Sequence, residues 1–250
     1  MPIDQAKRYM RSVKTDMSSK WLYLKLAMEG NKVRRLTDFS HCNHPVLLLY
    51  GFGATRRIFG VLERRLRQDG YGVFSINLGG IFDTFNTRCI EELSKLVQEK
   101  VDRLTEKFKL KKITIIGHSK GGLIGLYYIK QLGGDKRVRS LITLGTPHNG
   151  NPWALLGCFS PLGLFSKSLR QMVPYSPFIR KLKNTPMPKH VKLVSLYSKS
   201  DRICHYKSAI LTIDSSEKNV KNIELPGMSH ADYIIRKTAY GVIRQELGEP

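Results

Sequence analysis

The sequence predicts an α/β fold, in which a mostly parallel central sheet is flanked by helices. Short, continuous apolar segments recur along the 250-residue chain, a pattern typical of strands that are buried on both faces. Amphipathic helical patterns lie between these segments, and strands that alternate with helices pair mostly in parallel. The content of 41% hydrophobic and 25% charged residues is that of a globular protein. We therefore expect a single domain over residues 1–250.

Six segments are expected to form the strands of this sheet. Five are clear runs of apolar residues, and the sixth, nearest the C-terminus, is weaker. The six are Val46–Tyr50, Val73–Asn77, Ile113–Ile116, Leu141–Leu144, Val191–Tyr197 and Val220–Leu225.

Helices are expected between the strands. The clearest has six apolar residues at spacings of three and four, which places them on one face. They are Ile90, Leu93, Val97, Val101, Leu104 and Phe108. Other helices are expected over Thr55–Arg67, after Ser119 and over Ile234–Leu247, and residues 1–40 are expected to be helical and basic.

One apolar segment, at about 151–189, is too long for a simple crossover between strands. Prolines interrupt it, among them Pro152, Pro161, Pro174 and Pro177, and we expect short helices there that cover one end of the sheet. This insertion would cover a binding pocket; the alternative is ordinary core packing. The residues expected to contact substrate are Trp153, Leu155, Leu156, Phe159, Leu164 and Phe165.

The formal net charge of +22 is unevenly distributed. Between Lys136 and Ser200 there are eleven basic residues and no acidic one. A segment that is both basic and apolar suits an anionic lipid surface, so we expect peripheral contact with such an interface; a general basic bias is the alternative. Charge alone would also fit a nucleic-acid-binding protein, but no recognition module is present, and no nucleic-acid partner is expected.

The sequence shows no signal peptide and no apolar stretch long enough to span a bilayer, so we expect a soluble protein, either secreted or cytoplasmic. The four cysteines are scattered and indicate neither a redox motif nor a particular disulfide. His41–His44 contains three potential metal ligands, but no second ligand pair has zinc-like spacing. We expect no metal and no cofactor, and no oligomeric state is indicated.

A candidate nucleophile stands in Gly117-His118-Ser119-Lys120-Gly121, directly after an expected strand and before an expected helix. A serine on such a sharp turn needs small neighbours two positions before and after it, and glycine occupies both. The motif alone arises by chance, but in this context it predicts that Ser119 is a nucleophile and not a helix-capping residue.

A nucleophilic serine requires a histidine base and an acid that orients the histidine. His230 lies in a loop after the last expected strand, which makes it the favoured base; His205 is second, and His148 and His190 are expected to be structural or exposed. Asp201 follows a long apolar strand and is the favoured acid. Asp214 is the second choice, and Asp232 is expected to make a local turn or cap contact.

An oxyanion hole needs two backbone donors beside the serine. The N–H of Lys120 follows the nucleophile directly, and the glycine-rich loop after the first strand offers the N–H of Phe52. A phosphate-binding loop is the alternative, but the spacing of a phosphate motif is absent.

These motifs occur in an order that resembles the α/β-hydrolase superfamily, and within it the microbial triacylglycerol lipase and esterase branch. The matching pieces are Tyr50–Gly53, Gly117–Gly122, Gly145–Gly150, Ser200–Asp201 and Ser229–His230. The resemblance implies a triad of Ser119, Asp201 and His230 and hydrolysis of an ester or lipid substrate through an acyl-enzyme. It also implies that the insertion at about 151–189 forms a lid and an acyl-chain pocket. Phospholipases and acyltransferases share this triad, and an inactive lipid-binding hydrolase fold is a further alternative.

The chain departs from that branch at two positions. Relatives usually have histidine where this chain has Tyr50, and they usually have methionine or glutamine where it has Lys120. An ammonium group beside the serine would favour anionic substrates.

Overall fold

A computed structural model describes residues 17–31, 39, 42, 44–79, 86–160, 163 and 166–250. The strands are β1 (Pro45–Leu49), β2 (Gly72–Ser75), β3 (Ile113–His118), β4 (Val138–Leu144), β5 (Lys192–Tyr197) and β6 (Val220–Glu224). The helices are α1 (residues 17–28), α2 (Gly60–Gln68), α3 (Ile90–Phe108), α4 (Lys120–Gln131), α5 (Pro152–Cys158), α6 (Lys167–Gln171), α7 (Pro177–Asn184), α8 (Tyr206–Ala209), α9 (Asp232–Ile235) and α10 (Lys237–Leu247). Among the described residues, 3-10 turns span Arg56–Phe59 and Gly134–Lys136.

The six strands form one parallel sheet in the order β2-β1-β3-β4-β5-β6, which confirms the predicted fold class. The chain first moves from β1 outward to β2, then returns past β1 to β3 and continues in the other direction. Because crossovers between parallel strands are right-handed, this reversal places helices on both faces of the sheet. The loops after β1 and β3 therefore leave the sheet side by side, with Leu49 paired to Gly117, at the point where ligands bind in open α/β sheets.

The continuous apolar character of the strands reflects burial on both faces. Every residue of β1 and β3 is buried, and the core is made of the strands and the helix faces that pack on them. On α3, four of the six predicted apolar residues are buried, whereas Leu104 and Phe108 are half-buried. The last turns of this helix therefore lie at the margin of the core.

Two predicted helices are each divided in the structure. Over 55–67 the chain forms a 3-10 turn before α2, and the hydroxyl of Thr55 donates to the carbonyl of Ala27 at 3.1 Å. At the C-terminus, Arg236 has an extended conformation (φ −73°, ψ 142°) and separates α9 from α10. Its guanidinium lies 3.0 Å from the carboxylate of Asp232. Asp232 thus makes a local contact, as the sequence predicted.

In the described part of the segment after β4 the chain forms the short helices α5 to α7, as its prolines indicated. Pro152 and Pro177 open α5 and α7 at the first helical position, where the missing N–H costs nothing. None of the described helices is long and apolar enough to cross a bilayer.

Cysteines and potential metal ligands hold structural positions. Cys42, Cys89, Cys158 and Cys204 are free thiols. His44 is buried, and its two ring nitrogens bond to the carbonyl of Glu249 at 3.1 Å and the hydroxyl of Thr114 at 3.0 Å. His41 and Asn43 lie outside the described residues. Within the described ranges, no three His, Cys, Asp or Glu side chains converge as metal ligands.

Candidate active site

Ser119 stands on a strained turn between β3 and α4. Its backbone has φ 54° and ψ −128°, a conformation that residues other than glycine rarely adopt. The turn is held by two backbone hydrogen bonds, from the N–H of Ser119 to Leu144 at 2.9 Å and from Gly122 to the carbonyl of Ser119 at 3.1 Å. Such strain costs on the order of 1–3 kcal/mol and is concentrated at functional sites.

The glycines around Ser119 are required by close backbone contacts. A Cβ atom at Gly117 would lie 2.5 Å from Cα of Gly122, and one at Gly121 would lie 1.9 Å from the carbonyl oxygen of Leu49. Gly122 faces Thr146, whose hydroxyl donates to the carbonyl of Ser119 at 2.9 Å. The glycines therefore let α4 approach β1 and β3 closely, which is the physical reason for the motif.

Asp201 and His230 meet at the same edge of the sheet. Asp201 lies in the turn after β5, His230 lies in the loop after β6, and Oδ2 of the aspartate is 2.8 Å from Nδ1 of the histidine. Oδ1 of Asp201 accepts the N–H groups of Ile203 and Cys204, both at 2.9 Å. Both side chains are buried, so this pair is well shielded from solvent.

The carboxyl of Asp201 is held in its charged form. Burial by itself would raise its pKa, but the hydrogen bond and charge of His230 and the two backbone N–H groups outweigh burial. The pKa of Asp201 therefore lies below its usual value. An ionised carboxylate at this position fixes the proton of His230 on Nδ1 and leaves Nε2 as the basic atom.

His118 connects Ser119 with the loop of His230. Its ring lies 4.5 Å from the ring of His230, and its Nε2–H donates to the backbone carbonyl of His230 at 2.9 Å. Burial lowers the pKa of His118 to about 3, so the imidazole is neutral. The sequence analysis assigned no role to His118. The feature that could have indicated one is its position directly before Ser119, as a second polar residue in the turn.

The hydroxyl of Ser119 makes no hydrogen bond to any described residue. The base is nevertheless close, because the ring of His230 packs on the residue that precedes Ser119. Contacts between a nucleophile and its base are often long without substrate and tighten when substrate binds.

The loop after β1 passes directly against Ser119. A Cβ atom at Gly51 would lie 2.7 Å from Cβ of Ser119. The N–H of Phe52 has no partner among the described residues, and the N–H of Lys120 lies in the first turn of α4, where N–H groups lack helical acceptors. Two backbone donors are thus available beside the serine.

Tyr50, at the start of this loop, holds it in place from within the core. Its side chain is fully buried, and its hydroxyl accepts the N–H of Leu78 at 2.7 Å. Its carbonyl accepts the side-chain amide of Asn86 at 2.9 Å. The residue that stands where relatives usually have histidine therefore positions the loop through its own hydrogen bonds.

The side chain of Lys120 does not present a charge to substrate, contrary to the expectation from the sequence. Its Nζ is buried and donates to the carbonyls of Asn86 at 3.1 Å and Arg88 at 2.7 Å. Burial lowers the pKa of Lys120 well below its usual value. The amino group therefore holds the segment before α3 through these two hydrogen bonds.

The other candidate bases and acids have structural or exposed positions. His148 is buried beside the hydroxyl of Thr143 at 3.0 Å, and burial lowers its pKa to about 3. His190 is exposed, and His205 is exposed at the N-terminus of α8. Asp214 is exposed and bonds to Ser216, while Asp232 accepts the N–H of Ser229.

Four of the predicted substrate-contacting residues lie on or next to α5 and point outward. Trp153, Leu155, Leu156 and Phe159 are 60%, 49%, 62% and 83% exposed, which argues against the core-packing alternative for them. Nε1 of Trp153 donates to the carbonyl of Arg202 at 3.1 Å, beside Asp201. Leu164 and Phe165 lie outside the described residues.

Comparison with known proteins places these observations in a family context. A family model described as alpha/beta hydrolase fold matches residues 44–169. Triacylglycerol lipases of Pseudarthrobacter phenanthrenivorans and Burkholderia plantarii are each 29% identical over 124 residues, which cover 46% of this chain but 37% and 33% of theirs. The match thus spans about a third of the length of these curated relatives. A mature-form lipase structure from Bacillus licheniformis superposes with a TM-score of 0.67 at 17% identity, covering 87% of this chain and 96% of that one.

Proposed function

Because this chain belongs to the α/β-hydrolase fold family, we propose that it is a serine carboxylic-ester hydrolase of the lipase and esterase type. The observation that carries the proposal is the buried Asp201–His230 hydrogen bond at the sheet edge where Ser119 stands on its strained turn. An oriented imidazole close to a half-buried serine hydroxyl is the arrangement that activates an otherwise weak nucleophile.

In the proposed mechanism, Nε2 of His230 removes the proton from Ser119 as its Oγ attacks the ester carbonyl. Asp201 holds the imidazole through Nδ1–H and stabilises its positive charge. The N–H groups of Phe52 and Lys120 donate to the oxyanion, and His230 returns the proton to the departing alcohol. Water, deprotonated by the same histidine, then cleaves the acyl-enzyme and releases the acid.

The test of this proposal is hydrolysis of p-nitrophenyl esters of increasing acyl length. We expect measurable turnover, with activity maintained for long chains because exposed apolar side chains surround the site. A maximum at short chains would indicate an esterase with a small pocket. Absence of both hydrolysis and labelling by a fluorophosphonate probe would favour the inactive lipid-binding alternative.

Acyl transfer and hydrolysis differ in the molecule that accepts the acyl group from the acyl-enzyme. An acyltransferase would form the same acyl-enzyme but pass the acyl group to an alcohol in preference to water. Added glycerol or another alcohol would then yield a new ester at the expense of free acid. Phospholipase activity is distinguished by release of fatty acid from phospholipid and not from triacylglycerol.

Two exposed apolar patches flank the site and support action at a lipid surface. On α1, Met17, Trp21, Leu24 and Met28 are 67%, 65%, 59% and 76% exposed, and their spacings of four and three place them on one face. The opposite face of α1 packs toward the site, with the ring of Tyr23 lying 6.0 Å from that of His118. The second patch is the α5 set, which begins with Trp153.

The charge around the α1 patch favours an anionic surface. Residues 17–28 contain Lys20 and Lys25 and no acidic residue. Large exposed apolar patches on a single protein usually mark an interaction surface, and basic residues beside them add attraction to anionic lipids.

The two tryptophans of the chain, Trp21 and Trp153, report on these two patches separately. We expect Trp21 emission in Trp153→Phe, and Trp153 emission in Trp21→Phe, to shift to shorter wavelength on phosphatidylglycerol-containing vesicles. The shift should weaken with salt because the charge attraction is screened. Unchanged emission in both variants, or equal binding to neutral vesicles at high salt, would contradict contact with an anionic interface.

A further inference from the structure

Two fully buried polar side chains, those of Lys120 and Asn86, take no part in the mechanism proposed above. Burial of an amino or amide group costs free energy unless hydrogen bonds replace those made to water. An apolar side chain of similar size would fill the same space without that cost. What Lys120 and Asn86 supply is therefore a set of hydrogen-bond donors at fixed positions.

Asn86 contacts both ends of the loop after β1, residues 50–54, which we call the oxyanion loop. Its side-chain amide donates to the carbonyl of Tyr50 at 2.9 Å, and its backbone N–H donates to the carbonyl of Ala54 at 3.4 Å. Phe52, one of the two proposed oxyanion donors, lies midway between these two points in the sequence. The position of the Phe52 N–H therefore depends on where Asn86 is held.

Asn86 is in turn held by Lys120. Nζ of Lys120 donates to the carbonyl of Asn86 at 3.1 Å and to that of Arg88 at 2.7 Å. The same Nζ lies over the ring of Phe52, 5.8 Å from its centroid. The side chain of Lys120 thus reaches the oxyanion loop by two routes, through Asn86 and through the ring of Phe52.

These contacts connect the two halves of the proposed oxyanion hole. Lys120 offers one donor through its backbone N–H, and its side chain holds the loop that offers the other. Oxyanion donors are effective only at about 2.7–3.1 Å from the developing charge. A misplacement of about 1 Å can lower a rate by about a hundredfold.

We propose that Lys120 and Asn86 are positioning residues, whose side chains fix the N–H of Phe52 beside the N–H of Lys120. The inference rests on the proposed ester hydrolysis and adds two side chains to it. Because both side chains are fully buried, neither contacts substrate. Their loss should weaken an interaction that is made only in the transition state, and it should therefore lower kcat and leave KM unaltered.

The test is the steady-state hydrolysis of p-nitrophenyl butyrate by Lys120→Met, Asn86→Ala and the double variant. Methionine keeps the length and the apolar stem of lysine but lacks its N–H donors. Each single variant should lower kcat by about ten- to a hundredfold, less than the loss of a whole oxyanion donor, with KM within about twofold of the wild type. Since both residues act on one loop, the double variant should lose about as much as the worse single variant, and not the product of the two losses.

Lys130→Met is the matched control. Lys130 also lies on α4, and its Nζ also donates to two backbone carbonyls, those of Leu182 at 2.8 Å and Thr185 at 2.6 Å. Its substitution removes the same number of hydrogen bonds away from the oxyanion loop, so kcat should be that of the wild type. Thermal unfolding followed by circular dichroism checks that each variant is folded, and Asn86→Ala carries the test alone if Lys120→Met is not. Equal kcat in the positioning and control variants, or a rise in KM with kcat unchanged, would overturn the inference.

A second readout does not require turnover. Phe52 is labelled as 4-fluorophenylalanine, and its fluorine resonance is compared between the wild type, Asn86→Ala and Lys130→Met. Asn86→Ala keeps the Nζ of Lys120 near the ring, so a broadened or divided resonance in that variant alone would report a loosened loop. An unaltered resonance would contradict the positioning role. If the wild type neither hydrolyses esters nor reacts with a fluorophosphonate, the proposed function fails, and this resonance still decides whether Asn86 holds the loop.

Discussion

Replacement of Ser119 by alanine is expected to remove ester hydrolysis almost completely, with kcat reduced by on the order of a millionfold. The reason is that Oγ of Ser119 is the atom that forms the acyl-enzyme, and the remaining oxyanion donors stabilise only the slow attack of water. Alanine should be accommodated, because the strained φ of 54° is already borne by a side chain with a Cβ atom. The measurements are p-nitrophenyl butyrate hydrolysis and fluorophosphonate labelling.

Ser216→Ala is the matched control for that substitution. Ser216 is an exposed turn residue whose hydroxyl bonds to Asp214, and its loss should leave both hydrolysis and labelling intact. Retention of wild-type labelling in Ser119→Ala would place the reactive serine elsewhere and refute the proposed site.

Substitution of Asp201 by asparagine is expected to lower kcat by about ten-thousandfold, through the wrong histidine tautomer. Oδ1 of Asp201 accepts the N–H groups of Ile203 and Cys204, so the oxygen of the new amide will be held on that side. The NH₂ group then faces Nδ1 of His230 as a donor. The histidine must accept there and carry its proton on Nε2, the atom that should take the proton from Ser119.

The measurement for Asp201→Asn is kcat for p-nitrophenyl butyrate together with the rate of fluorophosphonate labelling. Asp214→Asn changes an exposed carboxylate that contacts Ser216, and it should have the activity of the wild type. A loss of less than tenfold in Asp201→Asn would show that this carboxylate does not orient the base.

The same substitution should also alter the response of stability to acid. The pKa of Asp201 is lowered in the folded protein, so its stabilising contribution is present above the ordinary value of 3.8 and is lost as pH falls through the folded-state value. The unfolded chain binds more protons in that window, and the wild type therefore loses this contribution on acidification. Asparagine does not titrate, so the difference in unfolding free energy between wild type and variant should shrink as the pH is lowered from neutral to below 3.8.

The parts of this molecule that sequence reasoning predicted well depend on local patterns. The strand before Ser119, the glycines around it and the polar turn after β5 are each encoded within a few neighbouring residues. Their arrangement follows from the handedness of crossovers, which brings the ends of β1 and β3 together. Asp201 and His230 could be paired because each follows a recognisable strand.

The parts that were missed depend on contacts between distant segments. The burial of the Lys120 amino group requires the carbonyls of Asn86 and Arg88, which no local pattern connects with the serine turn. The bond from His118 to the backbone of His230 joins positions 112 residues apart. The half-burial of Leu104 and Phe108 likewise depends on where α3 leaves the core. Amphipathic spacing shows which face of a helix is apolar, but it does not show how deeply each residue on that face is buried.

The outward position of both indoles also determines what intrinsic fluorescence can reveal. The tryptophans are already 60% and 65% accessible to water in the native state, so their environment changes little when the chain is denatured. Emission is thus a sensitive gauge of surface contact and a poor gauge of unfolding. Denaturation is better followed by far-ultraviolet circular dichroism, which detects the loss of helix and sheet directly.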